Sequence, residues 1–454
     1  MGRKMGLSPE TPMRIAVIGA GVAGLAAAAR LHPHHDITVY EAESHLGGHA
    51  LTRLVDDSAL VASLARPDGL GRRGHDPRTG PRPTEHAADL GFMVWNRHTY
   101  PGLTALFERL GTATAPTSMG FSVRDARSGL EYAGETLNGL FAQRRNLVRP
   151  SFLAMIAAIL RFNRHARDWV AGPHADATLG ELLERERLPR AFRDHYLIPM
   201  GAAIWSASER DMDAFPAAFF VRFLANHGML EPPSRQFRWR VVTGGSRHYV
   251  AALVRPFADR ARTGCPVRRV ERTADGVTVT TDAGAESFDR AVLALHADQA
   301  LAVLADATPL EREALSAFPY RTNDAVLHTD TALLPRARAA WASWNYHVPA
   351  ERGAPVMVTY DLSRLQHLAT PGPLLLTLND GGRVAAGRVV ERRVFAHPAF
   401  TRASIAMQER HAEVDGTHRV HFCGAYWRNG FHEDGFASGE TVAARILASD
   451  AGRA

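Results

Sequence analysis

Three glycines near the start of the chain carry its most specific chemistry. Gly19-Ala20-Gly21-Val22-Ala23-Gly24 has the G-x-G-x-x-G spacing. The first glycine permits a tight turn. The second, with Ala23 after it, lets backbone come close to a pyrophosphate, and the third lets a helix pack closely on a strand. A helix opening on that turn aims unpaired N–H groups at the anion. Glu41, with Ala42 beside it, follows 22 residues after Gly19. Its carboxylate can accept hydrogen bonds from a ribose diol, so the pattern implies dinucleotide binding. Gly47-Gly48, just past that acid, lets a further stretch of backbone approach the same ligand. The first βαβ unit alone leaves NAD and FAD both open.

A second cluster stands near the C-terminus, where His432-Glu433-Asp434 precede Gly435 and Phe436. The two carboxylates read as helix caps. His432 is the one catalytic candidate, as a proton acceptor or as a group that orients a ring. Trp205, Trp344, Tyr346 and Tyr426 are candidates for a substrate pocket, although aromatic residues are commonly plain core. His32-Pro33-His34-His35 lies between a helix and a strand without a partner motif. It reads as surface, and no metal site is expected. Cys265 and Cys423 are the only cysteines, too few for a disulfide framework, and Cys423 reads as a small buried hydrophobe. Lys4 is the only lysine, so 52 of the 53 basic residues are arginine. Beyond the first four residues no lysine can serve as a base, a Schiff-base former or a water-holding ammonium.

These residues need elements to position them. Arg14–Ile18 and Ile37–Tyr40 read as strands around an alanine-rich helix from Gly21 to Leu31. Residues 100–235 read as mostly helical. Helices are expected over 101–111, 151–169 and 216–227, and Thr178-Leu-Gly-Glu181 is a capping box. In the second of these helices Ile156, Ile159, Leu160 and Asn163 fall near helical spacing. Residues 267–295 alternate with period two, with turns at Asp275-Gly276 and Asp282-Ala-Gly284. Strand-like runs follow at 325–328, 356–360, 374–378 and 420–424, then a helix over 435–448. Residues 66–85 are dense in Gly, Pro and Arg and read as a mobile loop. The net charge is +6. It reads as solvated surface spread along the chain, without a run of five like charges, and no nucleic-acid partner is expected. The N-terminal residues lack a signal-peptide pattern, and the best apolar run, 152–160, falls short of the ~20 residues of a spanning helix. A cytoplasmic setting is expected.

The segment from Glu41 to His49 resembles the extended dinucleotide motif of FAD enzymes in the flavin amine oxidase and phytoene desaturase superfamily, which usually has arginine where His45 and His49 stand. Gly91-Phe92-Met93 resembles the piece that passes near the flavin ring there. Gly244-Gly245 resembles the glycine pair ahead of the β-meander, and Val267 falls where the family contacts adenine through backbone. Gly424 with Glu433-Asp434-Gly435-Phe436 resembles the C-terminal FAD motif, which implies contact with the ribityl chain by Glu433 or Asp434. The resemblance implies non-covalent FAD and an α/β fold: a discontinuous Rossmann-like FAD-binding domain of the glutathione-reductase type with an inserted mixed, largely helical substrate domain. The expected FAD-binding domain is 13–60, 86–100, 238–312 and 412–454. The substrate domain is 101–237 and 313–411, with a tail at 1–12 and a flexible loop at 61–85. Stretches such as 91–96, 137–147, 199–206, 341–346 and 430–435 look like a bacterial family similar to the N-terminal domain of plant cyclopropane fatty-acid synthases. That closer resemblance implies dehydrogenation of a lipid acyl chain, methyl-branched or cyclopropane-related. It further implies a lipid or other apolar substrate and a cyclopropane-synthase-like methyltransferase partner. The apolar helices near 152–160 and 217–224 read as ordinary packing, with a greasy tunnel or peripheral contact with the inner membrane face as the alternative that a lipid substrate would raise. An amine or polyene oxidase and an FAD-bound accessory protein are the alternatives. Family amine oxidases commonly hold a water at the flavin with lysine, which this chain lacks.

Overall fold

A computed structural model describes residues 12–64, 84–171, 176–205, 209–231, 238–351 and 356–451. The expected tail, but for residue 12, and residues 65–83 of the expected loop lie outside the described residues. Of that loop's remainder, residues 61–64 complete a helix, Asp57–Leu64, and Glu85 opens the strand Glu85–Asp89. Asp56 starts this helix by accepting from the Ser58 N–H, and Leu60 buries itself beneath it.

Arg14–Ile18 is apolar beyond its first residue, and such a run suits a strand buried on both faces. It lies at the centre of a five-stranded parallel sheet, between Asp36–Tyr40 and Arg290–Leu293, with Ala261–Arg262 and Val420–Phe422 outside them. Alternate side chains serve two cores. Ile15 and Val17 pack with the helix Val22–Leu31 and the closing helix His432–Ala451, whereas Ala16 and Ile18 pack under the meander Val267–Arg272, Val277–Thr281, Gly284–Phe288. The helical seam is tight. A Cβ on Gly24 would stand 1.9 Å from the Gly19 carbonyl oxygen, and one on Gly439 would stand 2.0 Å from that of Ala23. Neither position admits a side chain without moving backbone.

The second body is built on a seven-stranded mixed sheet. Its order is Val389–Pro398, Tyr320–His328, Leu375–Leu378, Met357–Asp361, Trp344–Val348, Phe121–Asp125, Leu130–Ala133. Neighbours are antiparallel except Trp344–Val348 beside Phe121–Asp125. Helices Pro150–Trp169, Leu179–Arg185, Ile198–Trp205 and Ala217–Asn226 share one core cluster with it. The mostly helical expectation for 100–235 holds among the described residues, but it missed three strands, Thr114–Thr117, Phe121–Asp125 and Leu130–Ala133. The last two form a hairpin closed by Ser128 donating to Asp125, with Gly129 at φ +65°. The hairpin joins the sheet through Trp344–Val348, more than two hundred residues away, and no local pattern announces that pairing.

Two helices also differ from expectation. Pro150–Trp169 buries Phe152, Met155, Ala158, Phe162 and Ala166; Ile156 and Ile159 are only half-buried and Leu160 is exposed. The closing helix begins at His432, not Gly435, because Asp434 accepts from the Phe431 N–H and caps it.

Candidate functional site

A cavity of about 2460 Å³ runs from the parallel sheet into the second body. Drug-sized ligands ordinarily occupy about 300–1,000 Å³, so one dinucleotide would leave room for more. Of the residues singled out from sequence, Gly19, Gly21, Ala23, Glu41, Ala42, Gly47, Gly48, Gly91, Phe92, Met93, Val267, Gly424, His432 and Gly435 line it, as do Trp205, Trp344 and Tyr426. Gly24 does not; it serves the helix seam, in keeping with its reading.

The near end is shaped by backbone. Gly19 takes φ +97° and its N–H donates to the Tyr40 carbonyl. A Cβ on Gly21 would meet nothing within 4 Å, so the turn has open space in front of it. The Gly47 N–H donates to the Ala20 carbonyl, which brings the second glycine pair alongside the first. Glu41 is locked in place, accepting from the Ala20 N–H at 2.8 Å and from the Glu43 N–H at 2.9 Å. Each oxygen keeps a further lone pair for a diol. This cradle fits the diphosphate and ribose of a dinucleotide. Cys265, half-buried, lines the same end, and its N–H donates to the Glu41 carbonyl. Cys423 is buried and its thiol is pushed up by burial, so it offers no thiolate for covalent attachment.

The expected ribityl role for Glu433 is corrected. Both its oxygens accept backbone N–H groups, of Gly102 at 2.8 Å and Leu103 at 2.9 Å, capping the helix Pro101–Leu110. Burial raises its pKa. Neither Glu433 nor Asp434 reaches the cavity wall; Asp434 caps its own helix, and burial pushes its carboxyl up to about 6. Phe436 packs in the core beside Gly102, and Tyr346, fully buried near Phe121, stands behind the pocket rather than in it. Side chains at both positions are taken up by local packing before a ligand could meet them.

His432 stacks on Phe92 with centroids 3.9 Å apart, and its Nε2 pairs with the Tyr249 hydroxyl at 2.5 Å. Burial pushes it down to about 3 and raises the tyrosine, so both are neutral at pH 7. Of the two readings of His432, orientation of a ring fits this geometry and proton acceptance does not. Phe92 is set in turn by Asp89. That buried carboxylate accepts from the Thr52 hydroxyl and from the Ser246 N–H and hydroxyl, tying the Gly244-Gly245 turn to this wall. Gly91 is the hinge between them: a Cβ there would stand 2.2 Å from the His49 carbonyl.

Sequence reasoning missed a group of histidines. His49 lies 6.1 Å from His296 and 5.4 Å from His397 by ring centroid, and all three line the cavity. His296 stacks on Tyr320. Asn379 donates to Asn323, and Asn323 to His397 Nδ1, which fixes that ring's acceptor side. Burial pushes His49 down to about 3 and His397 to about 4, and it lowers His296. The wall is thus polar without charge. His49 Nε2 is buried without a hydrogen-bond partner among the described residues, a polar atom that a cofactor's ring edge would satisfy. Three isolated histidines spread over 350 residues leave no spacing to read.

The far end is apolar. Ile156, Met200, Ile204, Trp205, Phe223 and Met229 face it, and Trp205 and Phe223 touch with centroids 4.8 Å apart. Of the carboxylates lining the cavity, Glu41 and Glu43 belong to the near end. Glu135 bonds Ser118, and Glu231 pairs with Arg167.

Comparison with known proteins adds to this geometry. Residues 22–383 match the family described as Flavin containing amine oxidoreductase. The Mycobacterium tuberculosis protein AofH, described as a flavin-containing monoamine oxidase, is 27% identical over 387 residues, covering 81% of this chain and 74% of that one. Among solved structures, a fatty acid isomerase from P. acnes that produces CLA superposes with a TM-score of 0.65 at 17% identity, covering 97% of this chain and 99% of its own. A putrescine oxidase superposes with a TM-score of 0.66 at 14% identity, covering 97% and 100%.

Proposed function

Since the chain belongs to the flavin-containing amine oxidoreductase family, and is therefore an FAD-dependent oxidoreductase, we propose that it dehydrogenates a lipid acyl chain, one that is methyl-branched or derived from a cyclopropane. The observation that carries this reading is the apolar far end of the cavity. It continues from the dinucleotide cradle past Trp205 and Phe223 and is too large for the cofactor alone. The scaffold also hosts a fatty acid isomerase.

When bound, FAD supplies the two-electron oxidant that accepts hydride from a substrate C–H. The residues of the chain do the rest. The Gly19–Gly24 turn and Glu41 would hold the diphosphate and ribose. The N-terminus of the closing helix, at His432, offers a positive dipole end to developing negative charge. Tyr249 and Phe92 hold the His432 ring in one orientation. The aromatic wall excludes water and aligns the chain. The proton from the adjacent carbon passes to solvent at the cavity mouth, while the imidazoles of His49, His296 and His397, lowered by burial as His432 is, line the wall as neutral polar groups.

A second reading, oxidation of an amine or polyene, is favoured by the family and by the M. tuberculosis relative. Against the amine stands the lack of any lysine beyond Lys4. A third reading makes the protein an FAD-bound accessory of a cyclopropane-synthase-like methyltransferase. Anaerobic titration of the holoenzyme separates them. We expect branched or cyclopropane acyl lipids to bleach the flavin's visible absorbance while primary amines and polyenes leave it intact. Bleaching by an amine or polyene alone would overturn the acyl reading, and no bleaching by any of them would support the accessory role.

A further inference from the structure

We propose that residues 136–167 form a docking face for an anionic lipid bilayer and that the cavity opens through this face, so that substrate enters from lipid. The second half of this statement rests on the acyl-chain reading above; the first does not.

Two independent observations converge here. The first is apolar exposure. Of the eight large hydrophobic side chains exposed among the described residues, five lie in this one segment: Leu137, Leu147, Val148, Leu153 and Leu160. Val148 is 80% exposed and Leu160 67%. The segments are neighbours in space, since Phe141 meets Phe152 with centroids 6.0 Å apart. On Pro150–Trp169, Leu153, Ala157, Leu160 and Arg164 share one outward stripe at helical spacing. The helix is therefore apolar on both sides of its first half, against the core and against solvent.

The second observation is charge. Residues 136–167 contain six arginines and no aspartate or glutamate. Their formal charge of +6 equals that of the whole chain, so the rest of the molecule is balanced. The excess that reads as spread along the sequence is concentrated where the hydrophobic side chains are exposed. Among the described residues, Arg161 and Arg167 meet Glu186 and Glu231, whereas Arg144 and Arg145 bond neutral oxygens and keep their charge unmatched. Apolar side chains flanked by arginine suit the boundary between headgroups and acyl chains of an anionic leaflet.

The cavity reaches this same face. Ile156 and Ile159 line its interior, and Leu160, Arg161, Arg164 and Arg167 line it where the helix is exposed. A chain leaving a bilayer would pass from lipid to the Ile156–Met200 wall without crossing open water.

Vesicle co-sedimentation of the FAD-loaded full chain tests this. Partition onto vesicles of phosphatidylcholine mixed with phosphatidylglycerol should exceed that onto phosphatidylcholine alone and fall as salt rises. Arg144→Gln with Arg145→Gln should lower it about fivefold for each arginine. Val148→Ser with Leu153→Ser should lower it at every salt concentration. These four residues lie outside the cavity, so flavin content and turnover of a detergent-dispersed substrate should not change; a loss of flavin would instead report misfolding, and Val148→Ser alone, at a side chain 80% exposed, would then be read in its place. Equal partition onto neutral and anionic vesicles overturns the proposal. So does wild-type partition by the variants, or a dimer in solution that the serine pair dissociates. If vesicles bind but no acyl lipid reduces the flavin, the docking face stands and the substrate reading falls.

Discussion

At the Gly19 end of the cavity the wall is backbone. The Gly47 N–H bonds the Ala20 carbonyl, the Glu41 carboxylate accepts from the Ala20 and Glu43 N–H groups, and the glycine seam leaves no room for a side chain. At the Trp205 end the wall is side chain: aromatic rings, methionines and isoleucines on helices around a sheet of strands drawn from four distant parts of the chain. Backbone geometry discriminates sharply and tolerates little, so the first end suits a fixed cofactor. A packed apolar wall discriminates by volume alone, worth about 1–3 kcal/mol per methylene. The second end can therefore change its ligand without disturbing the first.

The contrast breaks most severely at Gly24. Gly24→Val would drive a branched side chain into the Gly19 carbonyl. Overpacking of this kind costs about 1–3 kcal/mol even where side chains can yield, and here the obstacle is backbone. The variant should be recovered without flavin, as read from visible absorbance per protein, and should melt well below wild type. A flavin-replete variant would refute the account of the seam.

Acid should act next, and at both ends. Burial pushes His49 and His432 down to about 3, and His227, His328 and His397 to about 4. Once unfolded, each protonates near 6.5. Below that value the unfolded chain binds more protons than the fold, so stability is intact above pH 6.5 and is lost as pH falls toward 4. The loss approaches about 1.4 kcal/mol per pH unit for each histidine. Denaturant midpoints at pH 7 and pH 5 measure it, and equal midpoints would contradict these neutral imidazoles. His227→Gln, at the apolar end, should flatten the dependence while leaving flavin content unchanged.

The smallest effect sharpens the comparison most. Phe223 packs between Trp205 and Phe431. Phe223→Leu should shift kcat/KM among acyl substrates of different length by about tenfold, within what a hydrophobic pocket can discriminate, with flavin binding as in wild type. Loss of flavin from this variant would mean that the two ends are not separable.

The backbone end was also the legible one. Gly19, Gly21, Gly24 and Glu41 lie within 23 residues of each other, and their function depends on local geometry, which spacing records. His49, His296 and His397 meet only because three distant segments pack together, and nothing in any one of them marks it. Glu433 misled for a related reason. A carboxylate ahead of a helix reads as a ligand to whatever the helix faces, yet its nearest unpaired donors were the first N–H groups of another helix. Tyr346 misled because strand alternation puts it on the same face as Trp344, which lines the cavity, but does not tell how far along that face the cavity reaches.

Cys265 gives the molecule a gauge of its own loading. The chain's other thiol, on Cys423, is sealed in the core, so an alkylating reagent has one half-open target, at the mouth of the Glu41 turn. A bound adenosine half would screen that sulfur and an empty cradle would expose it. The fraction of molecules tagged at Cys265, read by mass, would then count empty molecules directly, whatever the flavin is or is not reducing.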